Sequence, residues 1–289
     1  MLKKHPFISS TLILFVLLLV FSALLNLTQV QRISFLKEGV VGVIKIKGII
    51  LDPDPVVAQI RKMEQTHSVR GVIVRLDSPG GGVAASQEIY DALNELRKMK
   101  PVYTSMGAVA ASGAYYIACA SDRIFANPGT ITGSIGVLLQ WFNLEELGKK
   151  IGAEAITITS VPNKDLMSMF HGLENSQRVI LQELVNDTHE QFIQAILKGR
   201  EQLLEDQVRA VADGRVVVGN RAAAMGLVDE LGSFSQVIWS LGKKLNLQEP
   251  IQTIEFDSTS FSLISLLGLA PLKEILPDPT GIRLSYLLQ

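Results

Sequence analysis

The sequence predicts an α/β domain, a layered arrangement of sheet and helices, behind one apolar N-terminal segment. Three observations predict it. Strand-like and helix-like stretches alternate from residue 40 to residue 245, the pattern of strands joined by helical crossovers. The stretch "GVIVRLD" (71–77) is nearly continuous in apolar residues, as strands covered on both faces are. Glycine clusters, above all "SPGGGV" (78–83), sit where such strands end.

Composition narrows the function classes. Apolar residues make up 47% of the 289 and charged residues 19%, which excludes wholesale disorder. A net charge of −1 gives no electrostatic basis for binding nucleic acid. The single cysteine, Cys119, cannot form an intrachain disulfide, and its apolar surroundings predict an inert buried thiol.

The N-terminus carries the clearest compositional signal. Phe7 to Leu27 is 21 residues without a charge, a length that spans roughly 30 Å as a helix. Lys3 and Lys4 precede it, and basic flanks stay in the cytoplasm. A cleaved signal peptide is the competing reading, but the exit "LLNLTQVQ" lacks a small-x-small site. The expected order is a cytoplasmic N-terminus (1–6), a transmembrane signal anchor (7–29), a linker (30–39), an extracytoplasmic globular domain (40–250) and an apolar tail (251–289). Setting aside Lys3 and Lys4 leaves 25 basic against 28 acidic residues, so the exported part is mildly acidic.

Within the domain, "VVGVIKIKG" (40–48) alternates and is β-branched, which predicts a strand. Residues 71–77 form the next strand and run into the glycine loop. Val83 to Lys100 is predicted helical, with Ile89, Leu93, Leu96 and Met99 on one face. Strands follow at 101–106 and 123–126, and "TITGSIGVLLQ" (130–140) reads as a loop and then a strand. Residues 143–151 look helical, and "AEAITITS" (153–160) reads as a strand. A long helix or helix pair covers 173–206 and carries Ile180, Leu184, Phe192 and Ile196. A brief extended piece (213–219) and helices at 220–225 and 233–245 complete the domain. In the tail, "FSLISLLGLA" (261–270) is too short to span a bilayer. It suits either a packing segment or subunit contact, or a surface resting on the membrane.

"GAVAASGAYYIA" (107–118) surrounds one serine, Ser112, with small residues. It reads either as close-packed helix or as a turn presenting a nucleophile. A serine nucleophile needs a general base and an oxyanion hole. None of the four histidines (His5, His67, His171, His189) stands in a glycine-rich turn or at a strand end. The other base used with serine is lysine. Its amine, ordinarily near a pKa of about 10.4, must come down to about 7–8, which burial away from carboxylates achieves. Lys164, in the loop "SVPNKDLMSMF", is a candidate; the adjacent Asp165 is a caution, because a close carboxylate favours the ammonium form. "DSPGGG" lacks GKS/T and is not GxGxxG, so it does not predict nucleotide binding.

The segments "DSPGGGV", "SMGAVAASGAYYIACASDRIFANPGTITGSIGV", "NKD" and "GRVVVGNRAAAMGLVDELG", in this order, resemble the signal peptide peptidase A family of membrane-anchored serine proteases, peptidase family S49. The similarity covers about residues 38–245. It implies a Clp-protease/crotonase-type fold, with 40–250 as a Ser/Lys protease domain that needs no metal or cofactor. It places the nucleophile at Ser112, the general base at Lys164 and a lysine-orienting hydroxyl at Ser134. The oxyanion hole falls on the N–H of Gly113 and of Gly80 or Gly81. The resemblance further implies apolar peptide substrates such as remnant signal peptides, the bacterial inner membrane as location, and a homo-oligomeric ring whose incomplete sites neighbours complete. A related quality-control or regulatory membrane protease, and a non-catalytic membrane scaffold, are the alternatives. The chain departs from the commoner pattern at Ala108 and Ala114, where glycine is usual and an added methyl is expected to tighten the site. It also lacks the usual Ser-Pro after Asp165.

Overall fold

The computed structural model describes residues 39–256 and the backbone of 283–287. The expected anchor (7–29), nearly all of the linker and the apolar stretch 261–270 lie outside the described residues. Among the described residues no helix is long and apolar enough to cross a membrane.

The elements, in chain order, are β1 (Val40–Lys47), α1 (Asp54–Gln65), β2 (Val69–Ser78), β3 (Gly80–Gly82), α2 (Val83–Arg97), β4 (Val102–Ala111), α3 (Gly113–Ala118), β5 (Arg123–Ala126), β6 (Ile131–Gly133), β7 (Leu138–Gln140), α4 (Glu145–Ile151), α5 (Asn175–Gly199), α6 (Glu205–Val211), β8 (Val216–Val218), α7 (Gly219–Ala224), β9 (Glu230–Leu231), α8 (Phe234–Lys244), β10 (Thr253–Glu255) and β11 (Arg283–Leu287).

The main sheet runs β10-β1-β2-β4-β5-β9 with every neighbouring pair parallel. Helical crossovers cover both faces, which is why β2 reads as an apolar run. Ile44, Val72, Val74 and Leu76 pack under α1, α2 and α3, while Val41, Ile73, Tyr103 and Phe125 pack with Val237 and Leu241 of α8. Each such aliphatic side chain, fully buried, contributes about 1.5–3 kcal/mol. β10 extends the sheet beside β1, so the sheet takes in residues past 250.

Two departures from periodicity matter. Met99 lies beyond the end of α2 and is 55% exposed, so the buried face of that helix stops at Leu96. In α5, Phe192 and Ile196 are buried, but Ile180 and Leu184 are 41% and 45% exposed; in the N-terminal half of the helix the buried residues are Gln177 and Leu181.

The upper end of β4 is built differently from its base. Between Leu76 and Ser78 the register with β4 slips, since Leu76 faces Met106 and Ser78 faces Ala110. The Asp77 carboxylate accepts the Val109 N–H at 3.2 Å and holds the diverging strand. From there β4 leaves β5 and pairs in parallel with β6, which in turn pairs antiparallel with β8. A separate three-stranded sheet, β3-β11-β7, lies at this end.

Candidate active site

β4 ends on Ser112, whose φ of 54° and ψ of −118° lie outside the regions favoured by residues with a side chain. Such a backbone costs about 1–3 kcal/mol and persists only where surrounding bonds impose it. Here the Ser112 N–H donates to the Gly133 carbonyl at 2.8 Å, and the Ser112 carbonyl accepts the Tyr116 N–H at 2.9 Å as α3 begins. The segment 107–118 is therefore a strand, a strained turn and a helix, not a continuous helix. The Ser112 Oγ is buried and has no hydrogen-bond partner among the described residues.

Ser134 stands beside it by register. Ala111 faces Gly133 across the parallel pair β4–β6, so the two strands deliver Ser112 and Ser134 side by side. Ser134 is also held at positive φ (52°), and its N–H donates to the Arg215 carbonyl at 2.8 Å.

The glycine loop supplies the third side. The Gly80 N–H donates to Ser78 Oγ at 3.1 Å, and the Gly82 N–H donates to the Ile50 carbonyl at 2.7 Å. Successive peptide groups of an extended strand point to opposite edges. Gly81 therefore turns its N–H and C=O away from Ile50, toward the edge that faces β11. Of the two glycines the sequence left open, Gly81 has the outward N–H. A Cβ there would lie 1.9 Å from the Ile50 carbonyl oxygen, so only glycine fits. Ser78, which fixes Gly80, is a residue the sequence reading missed; its place two residues before the loop glycine was the available signal. Gly113, the first residue of α3, presents its N–H without an intrahelical acceptor.

Lys164 is not brought into this cluster. It is exposed, and no hydrogen bond joins it to Ser112. The segment around it stands off the domain. α4 has no buried residue, and Phe142, Ile151, Ile156 and Ile158 are 72%, 70%, 84% and 95% exposed. The predicted strand at 153–160 forms no ladder; the segment has no strand partner among the described residues. The Asp165 carboxylate is engaged by His171, 3.0 Å from its Nε2.

The methyls of Ala108 and Ala114 do not act as expected. Ala108 is exposed, and Ala114 is fully buried in the main core rather than crowding a cleft. Behind Ser112, burial pushes the Cys119 thiol up to about 12, as an inert structural thiol requires. The Tyr115 hydroxyl donates to the Leu227 carbonyl at 2.9 Å, and buried Arg200 donates to Asp229 Oδ2 at 2.9 Å. Among the described residues no three His, Cys, Asp or Glu side chains gather as a metal site.

The sequence model of peptidase family S49 matches residues 94–248, more than half of the chain. The chain belongs to peptidase family S49. The Clp protease model matches residues 48–130, which cover β2, β4 and the Ser112 turn. Over 207 residues the chain is 37% identical to a protein of Enterococcus faecium named as a signal peptide peptidase SppA, covering 71% of this chain and 60% of that one. It is 45% identical over 162 residues to a protein of Synechocystis named as a protease, covering 56% and 58%. It is 31% identical over 246 residues to the chloroplastic serine protease SPPA of Arabidopsis thaliana, covering 82% of this chain and 36% of that one. The S49 chain thus spans at most 60% of the length of these relatives.

Proposed function

We propose that the chain is a membrane-anchored Ser–Lys endopeptidase, assembled as a homo-oligomeric ring, that degrades apolar unfolded peptides such as remnant signal peptides. The uncharged stretch Phe7–Leu27 behind Lys3 and Lys4 supports an anchor with the catalytic domain outside the cytoplasm, at a bacterial inner membrane. The name carried by the Enterococcus faecium relative supports the substrate class.

Ser112 Oγ attacks the peptide carbonyl and passes its proton to the neutral amine of Lys164, while the N–H groups of Gly113 and Gly81 receive the oxyanion. The lysine ammonium then gives that proton to the leaving amine, and the acyl-enzyme forms. Water, deprotonated by the same amine, releases the acid and restores Ser112. Ser134, beside Ser112, orients the amine.

One observation carries this reading: Ser112 is held strained and buried, with no partner for its Oγ among the described residues, while Lys164 stands exposed on a segment lined with exposed apolar side chains. A base that its own chain does not deliver comes from a neighbour. Packing of 153–160 against the next subunit gives the β-branched run a strand partner and removes Ile156 and Ile158 from water.

Mixing inactive chains tests this. Ser112→Ala and Lys164→Ala chains are each expected to be inactive. Coassembled in equal amounts they are expected to regain up to about a quarter of wild-type activity, since one in four neighbouring pairs then joins an intact serine to an intact lysine across a head-to-tail contact. No recovery in a verified mixed assembly overturns the shared site. Full activity of Lys164→Ala alone overturns the dyad.

A further inference from the structure

The parallel sheet has two unlike ends. Strands β1, β2, β4 and β5 all start at one end, with Val40, Val69, Val102 and Arg123, and Ser112 stands at the other. Helices α2 and α8 run back to the starting end and finish there at Arg97 and Lys244. Gly39, through which the uncharged stretch Phe7–Leu27 joins the domain, lies at that end too: a Cβ on it would sit 3.4 Å from the Leu247 side chain, just past α8. Residues 28–38 reach at most about 40 Å. An anchor at 7–27 therefore keeps this end within that distance of the bilayer, with Ser112 roughly 30 Å away along β4.

A cavity of about 480 Å³ opens at the anchored end. Arg97, Lys98, Lys100, Arg123 and Lys244 line it, against one carboxylate, Asp122. Three of these cations are engaged. Lys100 donates to the Met63 and Thr66 carbonyls at 2.6 and 2.8 Å, Lys98 pairs with Glu95 at 2.6 Å, and Arg123 pairs with Glu230 at 2.5 Å. Arg97 comes no closer to Asp122 than 3.9 Å, and Lys244 makes no ion pair among the described residues. A guanidinium and an ammonium are thus left to meet an anion in one cavity, a donor set that suits phosphate.

Apolar side chains border the same cavity. Met99, in its lining, is 55% exposed. Trp239, five residues before Lys244 on α8, is 51% exposed, with the Lys243 ammonium 5.0 Å from its ring centroid. Last-turn cations answer a helix dipole, which accounts for Arg97 and Lys244 taken singly but leaves Met99 and Trp239 in water. A ligand that carries a phosphate beside an apolar body meets both needs, and tryptophan beside lysine suits the boundary between membrane and water.

We propose that the cavity between the ends of α2 and α8 binds the phosphate of an anionic phospholipid headgroup, so that the domain rests on the bilayer at this end and holds Ser112 away from it. This rests on the membrane anchor of the proposed function. Substrate then meets Ser112 only after leaving the bilayer surface.

Full-length Trp141→Phe protein, in which Trp239 is the one tryptophan, is reconstituted in nanodiscs of phosphatidylcholine with rising phosphatidylglycerol. Trp239 emission is expected to shift to the blue as phosphatidylglycerol is added, and Lys244 to become protected from a water-soluble acetylating reagent. The acetylation readout is also made on the unsubstituted chain. In Lys244→Gln the phosphatidylglycerol content at half the emission shift is expected to rise about fivefold. In Lys150→Gln, the same charge change in the last turn of α4, it is expected to stay put. Equal effects of the two variants, or no response to phosphatidylglycerol, overturn the proposal. So does full protection of Lys244 by inorganic phosphate in detergent, which assigns the cavity to a soluble phosphate. Alkaline carbonate extraction is run alongside: release of the chain from membranes overturns the anchor, whereas a retained chain with no Trp239 response overturns only the headgroup site.

Discussion

Asp165 turns its carboxylate to His171, with Oδ2 3.0 Å from Nε2, although Lys164 is its neighbour in the chain. His171 Nδ1 lies 2.9 Å from the Gly172 carbonyl. Both ring nitrogens thus face acceptors, and satisfying both takes two ring protons, so the contacts fit the imidazolium. The Gly172 carbonyl holds the His171 pKa above its usual value; desolvation offsets part of that rise and the Asp165 carboxylate adds to it. A folded pKa raised above the unfolded one contributes stability that is full below the unfolded value and is lost as pH rises through the folded value. Proteolytic nicking of residues 160–172 is therefore expected to accelerate as pH rises through neutral. In His171→Ala it is expected to be fast and nearly independent of pH over that range; an unchanged profile in this variant rules the contact out as the cause.

A lysine base works only once deprotonated, so activity is expected to rise from neutral to alkaline pH, and an acidic optimum counts against it.

Ser112 stores strain in the resting fold. Ser112→Gly is expected to raise stability by about 1 kcal/mol or more, because glycine adopts the turn freely and the unbonded hydroxyl is removed. The same change is expected to reduce peptide hydrolysis by about 10⁴-fold or more. Thermal melts and turnover on one preparation measure the two. A variant that loses stability and activity together contradicts the strained-nucleophile reading.

Gly81→Ala drives a methyl into the Ile50 carbonyl and must displace the glycine loop. Overpacking of this kind costs about 1–3 kcal/mol. Activity is expected to fall well beyond what that loss of stability explains, since the outward N–H moves with the loop. Gly82→Ala, where a Cβ meets nothing closer than 3.7 Å, is the control and is expected to retain more activity.

Asp229 anchors the rear of the site. It accepts from buried Arg200 and from the Ile124 N–H. Asp229→Ala leaves an uncompensated buried guanidinium and is expected to cost about 3–5 kcal/mol in denaturant unfolding. A loss under about 1 kcal/mol indicates that water reaches Arg200.

The parallel core was legible because buried strands advertise themselves through unbroken apolar runs, as in residues 72–74, and through the glycines at their ends. The turn at Ser112 was legible from small residues flanking one hydroxyl. α1 went unseen, since Arg61, Lys62 and Glu64 interrupt Ile60 and Met63 and leave a thin apolar stripe. The alternation at 153–160 predicted a strand, but a strand also needs a partner, and among the described residues this segment has none. For the same reason the sequence named Lys164 without locating it. The pairing of β11 with three glycines left no side-chain signature to read.

Under the shared site proposed above, the bare isoleucines at 156 and 158 act as a safeguard based on dilution. A solitary copy, newly made and still searching for companions, would then hold half of its chemistry on a surface that cannot turn back upon itself. Specific activity is then expected to climb with subunit density before it levels off, and nearby polypeptides to be spared until enough copies have met.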